Sequence, residues 1–277
     1  MIRSLLISSL LVGLSGCSSL FYYPAKQQFY DPAKISLKYQ DVSFESSDGK
    51  KLHAWYFPAV GPSKGSFLFF HGNAENLTSH FVGLHWLPAA GYSFFIFDYP
   101  GYGKSEGDAT QQSTVDAGKE ALRWLAKQKR EQKEKDPIYI YGQSLGGNIA
   151  MRVALEMKTE IPFRAVIVDG SFLSYRSVAR SVLAKNWFTW IFQPIAYLVM
   201  SNRYAPEHLE ELSPIPLFVL HGQKDPVVPL EQGQQIFSAA KEPKQMWILP
   251  QGHHGDSFFT ENGIYRQKLL IELEKLQ

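Results

Sequence analysis

The pattern Gly-x-Ser-x-Gly occurs three times in the sequence, at Gly61–Gly65, Gly103–Gly107 and Gly142–Gly146. It is typical of a nucleophile elbow, a sharp strand-to-helix turn that exposes a serine hydroxyl and needs small flanking residues. A hydroxyl held in this way can attack a carbonyl carbon and become transiently acylated. The pattern alone proves little, so the flanking residues must decide which serine is the nucleophile.

Only the third copy has a strand before it and a helix behind it. Ser144 follows the apolar run Ile138–Tyr141 and precedes Gly147–Leu155, whose apolar residues recur at helical period. Ser63 precedes a strand instead of following one, and Ser105 has no apolar helical run directly behind it. We therefore predict that Ser144 is the nucleophile and that helical amides next to it can stabilise an oxyanion.

A serine hydroxyl is a poor nucleophile near pH 7, so it needs a histidine to take its proton and a carboxylate to orient that histidine. Both residue types occur downstream, after predicted strands. Asp225 follows the strand Leu217–Leu220, and His253 and His254 follow the strand Gln245–Leu249. Because α/β enzymes assemble their sites at the carboxyl ends of strands, Asp225 is the predicted acid.

Two of these assignments have alternatives. Asp169, at the end of the strand Ala165–Val168, is a second candidate acid, or else it caps the turn at Gly170-Ser171. Either His253 or His254 can be the base, because one residue of loop slip would swing either imidazole inward. A metal pair is disfavoured, since adjacent histidines in a loop do not point together as an i,i+4 helical pair does. We expect neither a metal nor an organic cofactor.

The elements that must position these residues alternate between short apolar runs and longer helical stretches. This alternation predicts an α/β fold with a mostly parallel central sheet covered by helices on both faces. Buried strands are predicted at Ser66–Phe70, Ser93–Phe97, Ile138–Tyr141, Ala165–Val168 and Leu217–Leu220. An edge hairpin is predicted from Gln40–Phe44 and Leu52–Phe57 around the turn Ser47–Gly49. Helices are predicted over about 79–90, 110–130, 145–158, 229–241 and 261–275.

These segments resemble the α/β-hydrolase superfamily. The serine, acid and histidine segments occur in the superfamily's order, with His71–Ala74 and Asp98–Ser105 upstream, and the resemblance spans about residues 40–275. The branch that the chain resembles most is that of the serine-aminopeptidase-like and depalmitoylase-like hydrolases. The resemblance implies an α/β-hydrolase fold with a helical cap and a serine hydrolase activity.

The resemblance also implies roles for individual residues. Related members carry Pro-x-Gly-x-His-Asn-Asp where this chain has Pro250–Asp256, which implies that His254 is the catalytic histidine, although glycine replaces the usual asparagine after it. The oxyanion would be held by the backbone amides of Asn73 and Leu145, with Ala74 as the alternative to Asn73. Losing one such donor typically costs a factor of about 10² to 10³ in turnover.

The first residues predict export and a lipid anchor. Residues 1–16 contain one basic residue, the apolar run Leu5–Leu14 and then small residues, which is the make-up of a signal peptide too short to span a bilayer permanently. Cys17, the single cysteine, follows a Leu-Ser-Gly triplet that resembles the lipobox of bacterial lipoproteins. This resemblance implies cleavage before Cys17 and its lipidation, and Ser18 favours an outer-membrane address. The alternative is a plain signal peptide or an uncleaved anchor with an incidental cysteine.

The rest of the composition is that of an ordinary globular protein: 277 residues, 45% hydrophobic and 19% charged. We predict a lipid-anchored segment over 17–38 and a hydrolase domain over 39–277, with a helical cap insert at about 171–206. The aromatics of this insert either line an acyl pocket or pack the cap onto the body: Trp187, Phe188, Trp190, Phe192 and Tyr197.

The sequence thus predicts an envelope-anchored serine hydrolase that cleaves acyl esters or lipid-like substrates. Its formal charge of +2, without a basic cluster among aromatics, disfavours a nucleic-acid partner. A serine peptidase is one alternative. Another is a non-catalytic envelope lipoprotein that keeps the scaffold for binding, because fold alone does not establish activity.

Overall fold

The computed structural model describes residues 21–184, 193 and 200–276. The predicted signal peptide 1–16, Cys17 and the aromatics from Trp187 to Tyr197 lie outside these residues. The strands are β1 Tyr23–Pro24, β2 Gln40–Glu45, β3 Lys51–Phe57, β4 Ser66–Phe70, β5 Ala74–Glu75, β6 Ser93–Phe97, β7 Ile138–Gln143, β8 Ala165–Asp169, β9 Leu217–Gly222 and β10 Lys244–Leu249. The helices are α1 Leu77–His80, α2 Gln111–Glu131, α3 Leu145–Met157, α4 Tyr175–Ala184, α5 Leu230–Ala239 and α6 Ile264–Glu274.

Eight of these strands form one sheet in the order β10-β9-β8-β7-β4-β6-β3-β2. The neighbours from β10 to β6 are parallel, whereas β3 is antiparallel to both β6 and β2. The β2–β3 hairpin forms the sheet edge, with Gln40 opposite Tyr56 and Glu45 opposite Lys51. This architecture confirms the predicted α/β fold with a mostly parallel sheet.

The apolar runs form central strands because both faces of the sheet are covered. In β4, Leu68 and Phe70 belong to the hydrophobic core on one face, and Phe67 and Phe69 belong to the core on the other. All four side chains have 0% solvent exposure. A strand buried on both faces has no position for an alternating polar residue, so it reads as a continuous apolar run.

The helix predicted over 79–90 is wrong in its extent. The structure has the four-residue α1, which Asn76 caps by accepting a hydrogen bond from the amide of Thr78, and then two 3₁₀ turns, Phe81–Leu84 and Pro88–Ala90. Proline lacks the amide that a continuing helix needs and is favoured at the start of a new turn, where Pro88 stands. The final helix also begins late, at Ile264 instead of residue 261.

The chain before the main sheet is attached to the body. The two-residue strand β1 pairs in parallel with β5, which closely follows β4. Tyr22 is buried, and the side-chain amide of Asn76 donates to the carbonyls of Ala25 and Gln27. No helix in the stretches that the structure covers is long and apolar enough to cross a bilayer.

Candidate active site

The parallel strands place the predicted reactive residues at one edge of the sheet, because the carboxyl ends of parallel strands meet there. Strand β7 leads to Ser144, and β8 ends at Asp169. Asp225 lies shortly after the end of β9, and His254 lies in the loop after β10. Residues as much as 110 positions apart in the sequence are thereby gathered in one region.

Ser144 has the strained backbone of a nucleophile elbow. Its φ of 55° and ψ of −123° are unusual for a residue with a side chain, and it stands immediately before α3. A Cβ on Gly142 would lie 2.5 Å from the carbonyl oxygen of Gly146, and one on Gly146 would lie 2.0 Å from that of Phe70. The turn therefore requires glycine at both positions. The Ser144 amide donates to the carbonyl of Asp169 at 2.8 Å.

The hydroxyls of the other two Gly-x-Ser-x-Gly serines serve local structure. The Ser63 hydroxyl donates to the carboxylate of Asp136 at 2.9 Å. Ser105 is 2% exposed, and its hydroxyl donates to the carbonyl of Asp98 and accepts from the amide of His53. These contacts agree with the prediction that neither Ser63 nor Ser105 is the nucleophile.

An unbroken hydrogen-bonded chain links Ser144, His254 and Asp225. The Nε2 atom of His254 is 2.9 Å from the Ser144 hydroxyl, and its Nδ1 atom is 2.7 Å from the Asp225 carboxylate. A carboxylate only accepts, so Nδ1 carries the proton and the Nε2 lone pair faces the hydroxyl. This is the tautomer that a general base requires.

The environment of Asp225 keeps its carboxylate ionised. Its side chain has 0% exposure, and burial alone raises the pKa of a carboxyl. The hydrogen bond and attraction of His254, and the amides of Val227 and Val228 at 2.7 and 2.8 Å, outweigh burial and lower the pKa of Asp225 below its ordinary value. Both amides bind Oδ1, which leaves Oδ2 to orient the imidazole.

The neighbouring histidine has a different environment. The His253 side chain is 61% exposed, with Nδ1 3.6 Å from the Asp256 carboxylate, whereas the His254 side chain is 22% exposed. The structure brings His254, and not His253, to Ser144. His221 lies beneath the acid: its Nε2 atom donates to the carbonyl of Val228, and burial lowers the pKa of this imidazole.

The alternative acid, Asp169, has other partners. Its carboxylate accepts hydrogen bonds from the hydroxyls of Ser257 at 2.6 Å and Tyr141 at 3.1 Å. Burial raises the pKa of Asp169 to about 6, against the hydrogen bonds from those hydroxyls. Asp169 thus joins the end of β8 to the loop that carries His254, while Asp225 contacts the imidazole itself.

The two backbone amides predicted to receive an oxyanion are those of Leu145 and Asn73. Leu145 is the first residue of α3, where amides have no acceptor within the helix. The carbonyl of Gly72 accepts a hydrogen bond from Nδ1 of His71 at 2.8 Å. This carbonyl and the Asn73 N–H belong to one trans peptide, in which the two groups point in opposite directions. The Asn73 N–H therefore points away from the His71 imidazole. The Asn73 carbonyl accepts from the hydroxyl of Tyr102 at 2.6 Å, which fixes the loop further. Ala74 stays the alternative donor.

Two further side chains lie at this site, His80 and Gln143, and the sequence did not predict them. His80 ends the short helix α1, and Gln143 is the variable residue before Ser144. Neither spacing nor residue type marks them in the sequence. Across the ranges that the structure covers, no group of three His, Cys, Asp or Glu side chains is placed to hold a metal ion.

A mostly parallel sheet flanked by helices, with a strained serine after one strand and a His–Asp pair after two others, defines an α/β-hydrolase. The chain belongs to the family described as serine aminopeptidase, S33, whose sequence profile matches residues 61–211.

Individual proteins are similar to this chain over most of its length. The protein YfhR of Escherichia coli K12 is 31% identical over 91% of this chain and 85% of its own length. The lysophosphatidylserine lipase ABHD12 of Macaca fascicularis is 29% identical over 81% of this chain and 58% of its own. Among solved structures, the Pyrococcus furiosus esterase Pf2001 superposes with a TM-score of 0.73 at 20% identity, covering 92% of this chain and 98% of that one. At that identity the likeness shows the fold alone.

Proposed function

We propose that the protein is a serine hydrolase that cleaves acyl esters through an acyl-enzyme on Ser144. The observation that carries this proposal is the continuous hydrogen-bonded chain from the Ser144 hydroxyl through His254 to the buried Asp225 carboxylate. A structural serine would not need a strained φ, an imidazole lone pair and helical amides at the same point.

The proposed reaction has two halves. The Ser144 oxygen attacks the ester carbonyl carbon while its proton passes to Nε2 of His254, and the carbonyl oxygen takes up the negative charge beside the Asn73 and Leu145 amides. The bond to the alcohol then breaks as His254 returns the proton to the leaving oxygen. In the second half His254 takes a proton from water, the hydroxide attacks the acyl carbon, and Ser144 leaves with that proton. Asp225 stays ionised and stabilises the transient imidazolium.

Purified protein is expected to release p-nitrophenol from short-chain p-nitrophenyl esters and to take up one fluorophosphonate group at Ser144. Intact mass followed by peptide mapping measures the second outcome. The family description and the fold also suit a peptidase, so aminoacyl p-nitroanilides belong in the same panel. Turnover of the anilides alone would favour that alternative, and neither turnover nor labelling would favour a non-catalytic scaffold.

Replacing Asp225 by asparagine is expected to lower kcat by about 10⁴-fold. The Val227 and Val228 amides would hold the side-chain oxygen of the introduced asparagine, so its NH₂ group would face Nδ1 of His254. The imidazole would then adopt the opposite tautomer, with a proton instead of a lone pair toward Ser144. Steady-state ester hydrolysis measures the loss.

The matched control is Asp169→Asn, which removes the other buried carboxylate of the region. An asparagine can still accept from Ser257 and donate to Tyr141, so we expect kcat within about tenfold of wild type.

Folding raises the pKa of Asp169 from 3.8 to about 6, so the folded state binds more protons than the unfolded chain between these two pH values. The contribution of Asp169 to the free energy of unfolding therefore falls as pH rises through that range. Urea unfolding at pH 5 and pH 8 should show that fall reduced in Asp169→Asn. A larger loss of kcat in this variant than in Asp225→Asn would reverse the assignment of the acid.

The proposal includes a lipid anchor on Cys17 and a place in the cell envelope, at the periplasmic face of the outer membrane in preference to the inner. Besides the lipobox resemblance, the proposed anchor is supported by the position of Phe21, four residues after Cys17. The ring of Phe21 packs against those of Phe172 and Tyr175, with centroids 6.1 and 5.2 Å apart. Both partners lie in the segment that follows β8. Four residues span at most about 14 Å, so a lipid on Cys17 would keep the segment around Phe172 and Tyr175 close to a bilayer. The relative named as a lysophosphatidylserine lipase supports lipid esters as substrates.

A clickable fatty acid fed to producing cells is expected to label the protein, and Cys17→Ser is expected to abolish the label and release the protein from the membrane fraction. An acyl chain contributes about 0.8 kcal/mol per buried methylene, so several chains hold a protein stably at a membrane. Ser18→Ala is the neighbouring control and should keep the label. A wild-type protein that is soluble and unlabelled would refute the anchor without touching the proposed hydrolysis.

A further inference from the structure

A chain of three hydrogen bonds crosses the site between loops that are distant in sequence. The Nε2 atom of His80 is 2.9 Å from the carbonyl oxygen of Ala74, and its Nδ1 atom is 3.2 Å from the side-chain oxygen of Gln143. The side-chain NH₂ of Gln143 donates to the carbonyl of Gly255 at 2.9 Å. One bridge therefore links the loop after β4, the residue before Ser144 and the residue after His254.

The partners fix the direction of every bond in this bridge. The carbonyls of Ala74 and Gly255 can only accept hydrogen bonds. The NH₂ group of Gln143 must therefore face Gly255, and its oxygen must face His80. His80 then faces an acceptor at each ring nitrogen, so an imidazolium makes both bonds and a neutral ring makes one.

A second imidazole holds the same loop from the other side. His71 stacks on His80 with ring centroids 5.1 Å apart and an interplanar angle of 24°. Burial, together with the charge of His80, lowers the pKa of His71 well below its ordinary value, so this ring stays neutral. Its Nδ1 proton is donated to the carbonyl of Gly72. His71 and His80 thus hold carbonyls on either side of Asn73, the predicted oxyanion donor.

The glycine after His254 makes the bridge possible. Gly255 has a φ of 68°, and a Cβ there would lie 2.3 Å from the side-chain nitrogen of Gln143. Any side chain at this position would displace the Gln143 amide from the Gly255 carbonyl. The glycine at position 255 and the bridge through Gln143 are therefore parts of one arrangement.

We propose that His80 and Gln143 are positioning residues for acyl transfer at Ser144. They hold the loop after β4, which contains Asn73, and the loop that carries His254 in place relative to the nucleophile. This inference rests on the proposed hydrolase function. The two residues touch no reacting atom and act through backbone carbonyls at Ala74 and Gly255. Their contribution is to kcat, because the oxyanion and the imidazolium exist only in the transition state and the intermediates next to it.

Two substitutions break the bridge at different bonds. His80→Phe keeps a ring that can stack on His71 and removes every N–H donor of the imidazole. Gln143→Glu keeps an acceptor for His80 and loses the donor to Gly255. Loss of an oxyanion donor costs about 10² to 10³ in kcat, and a misoriented donor costs less, so we expect each variant to lower kcat by about tenfold with KM within about twofold. The double variant should be no worse than the poorer single one, because residues of one bridge act as a unit.

His80→Gln is the rescue variant, since its NH₂ group supplies two donors near the same place, and it should recover part of the kcat that His80→Phe loses. Thermal unfolding of each variant separates positioning from folding. Normal kcat in both single variants, or additive losses that follow the melting temperatures, would overturn the inference. A wild-type protein that neither turns over esters nor reacts with the fluorophosphonate would instead overturn the proposed function.

Discussion

Ser144→Ala is expected to lower kcat for ester hydrolysis by about 10⁶-fold and to abolish fluorophosphonate labelling, because the methyl group offers no oxygen to acylate. The turn itself should survive, since alanine changes neither the backbone contact to Asp169 nor the glycines on either side. The strain at φ 55° is shared by any residue with a Cβ, so stability should change little. Stopped assays of p-nitrophenol release and intact mass after probe treatment measure the two effects.

The sequence supplies a matched control in the first Gly-x-Ser-x-Gly copy. Ser63 lies in a surface turn, where its hydroxyl contacts Asp136, so Ser63→Ala should keep full labelling and turnover. Ser105 is less suitable, because its buried hydroxyl makes two structural hydrogen bonds. Labelling of Ser144→Ala with loss of labelling in Ser63→Ala would show that the elbow was assigned to the wrong serine.

The fold could be predicted because the sequences of its central strands are apolar almost throughout, which indicates burial on both faces. Ser66–Phe70 and Ser93–Phe97 have the predicted ends, and the other central strands extend one or two residues further. Each of these runs is apolar almost throughout, which only a doubly covered strand tolerates. The helix predicted over 79–90 is wrong in its extent because this segment has the apolar spacing of one helix, whereas Pro88 starts a separate turn inside it.

The site was predictable as far as it depends on chain order, and less so where it depends on loop conformation. A serine after one strand and an acid after another must meet at the same sheet edge, which is why Ser144 and Asp225 could be named. The choice between His253 and His254 depends on the path of one loop, which the residue types do not determine, and only the resemblance to related hydrolases favours His254. The bridge through His80 and Gln143 is less visible still, because its bonds join residues 63 and 112 positions apart.

His254→Ala is expected to lower kcat by about 10⁶-fold, as much as Ser144→Ala, because the nucleophile and its base act as a unit. Without the imidazole, the Ser144 proton has no acceptor at 2.9 Å and the buried Asp225 carboxylate loses the hydrogen bond that offsets its desolvation. The pKa of Asp225 should therefore rise in the variant. Hydrolysis of p-nitrophenyl esters measures the loss, and the double variant with Ser144→Ala should be no slower than either single one.

The adjacent histidine makes the comparison decisive. His253→Ala removes an imidazole that is 61% exposed and faces Asp256, so kcat should stay within about twofold of wild type, as for most surface substitutions. Both variants lie in the same loop, so a general loosening of that loop would affect them alike. A large loss in His253→Ala with activity retained in His254→Ala would mean that the loop slips by one residue when substrate binds, and the proton acceptor would have to be reassigned to His253.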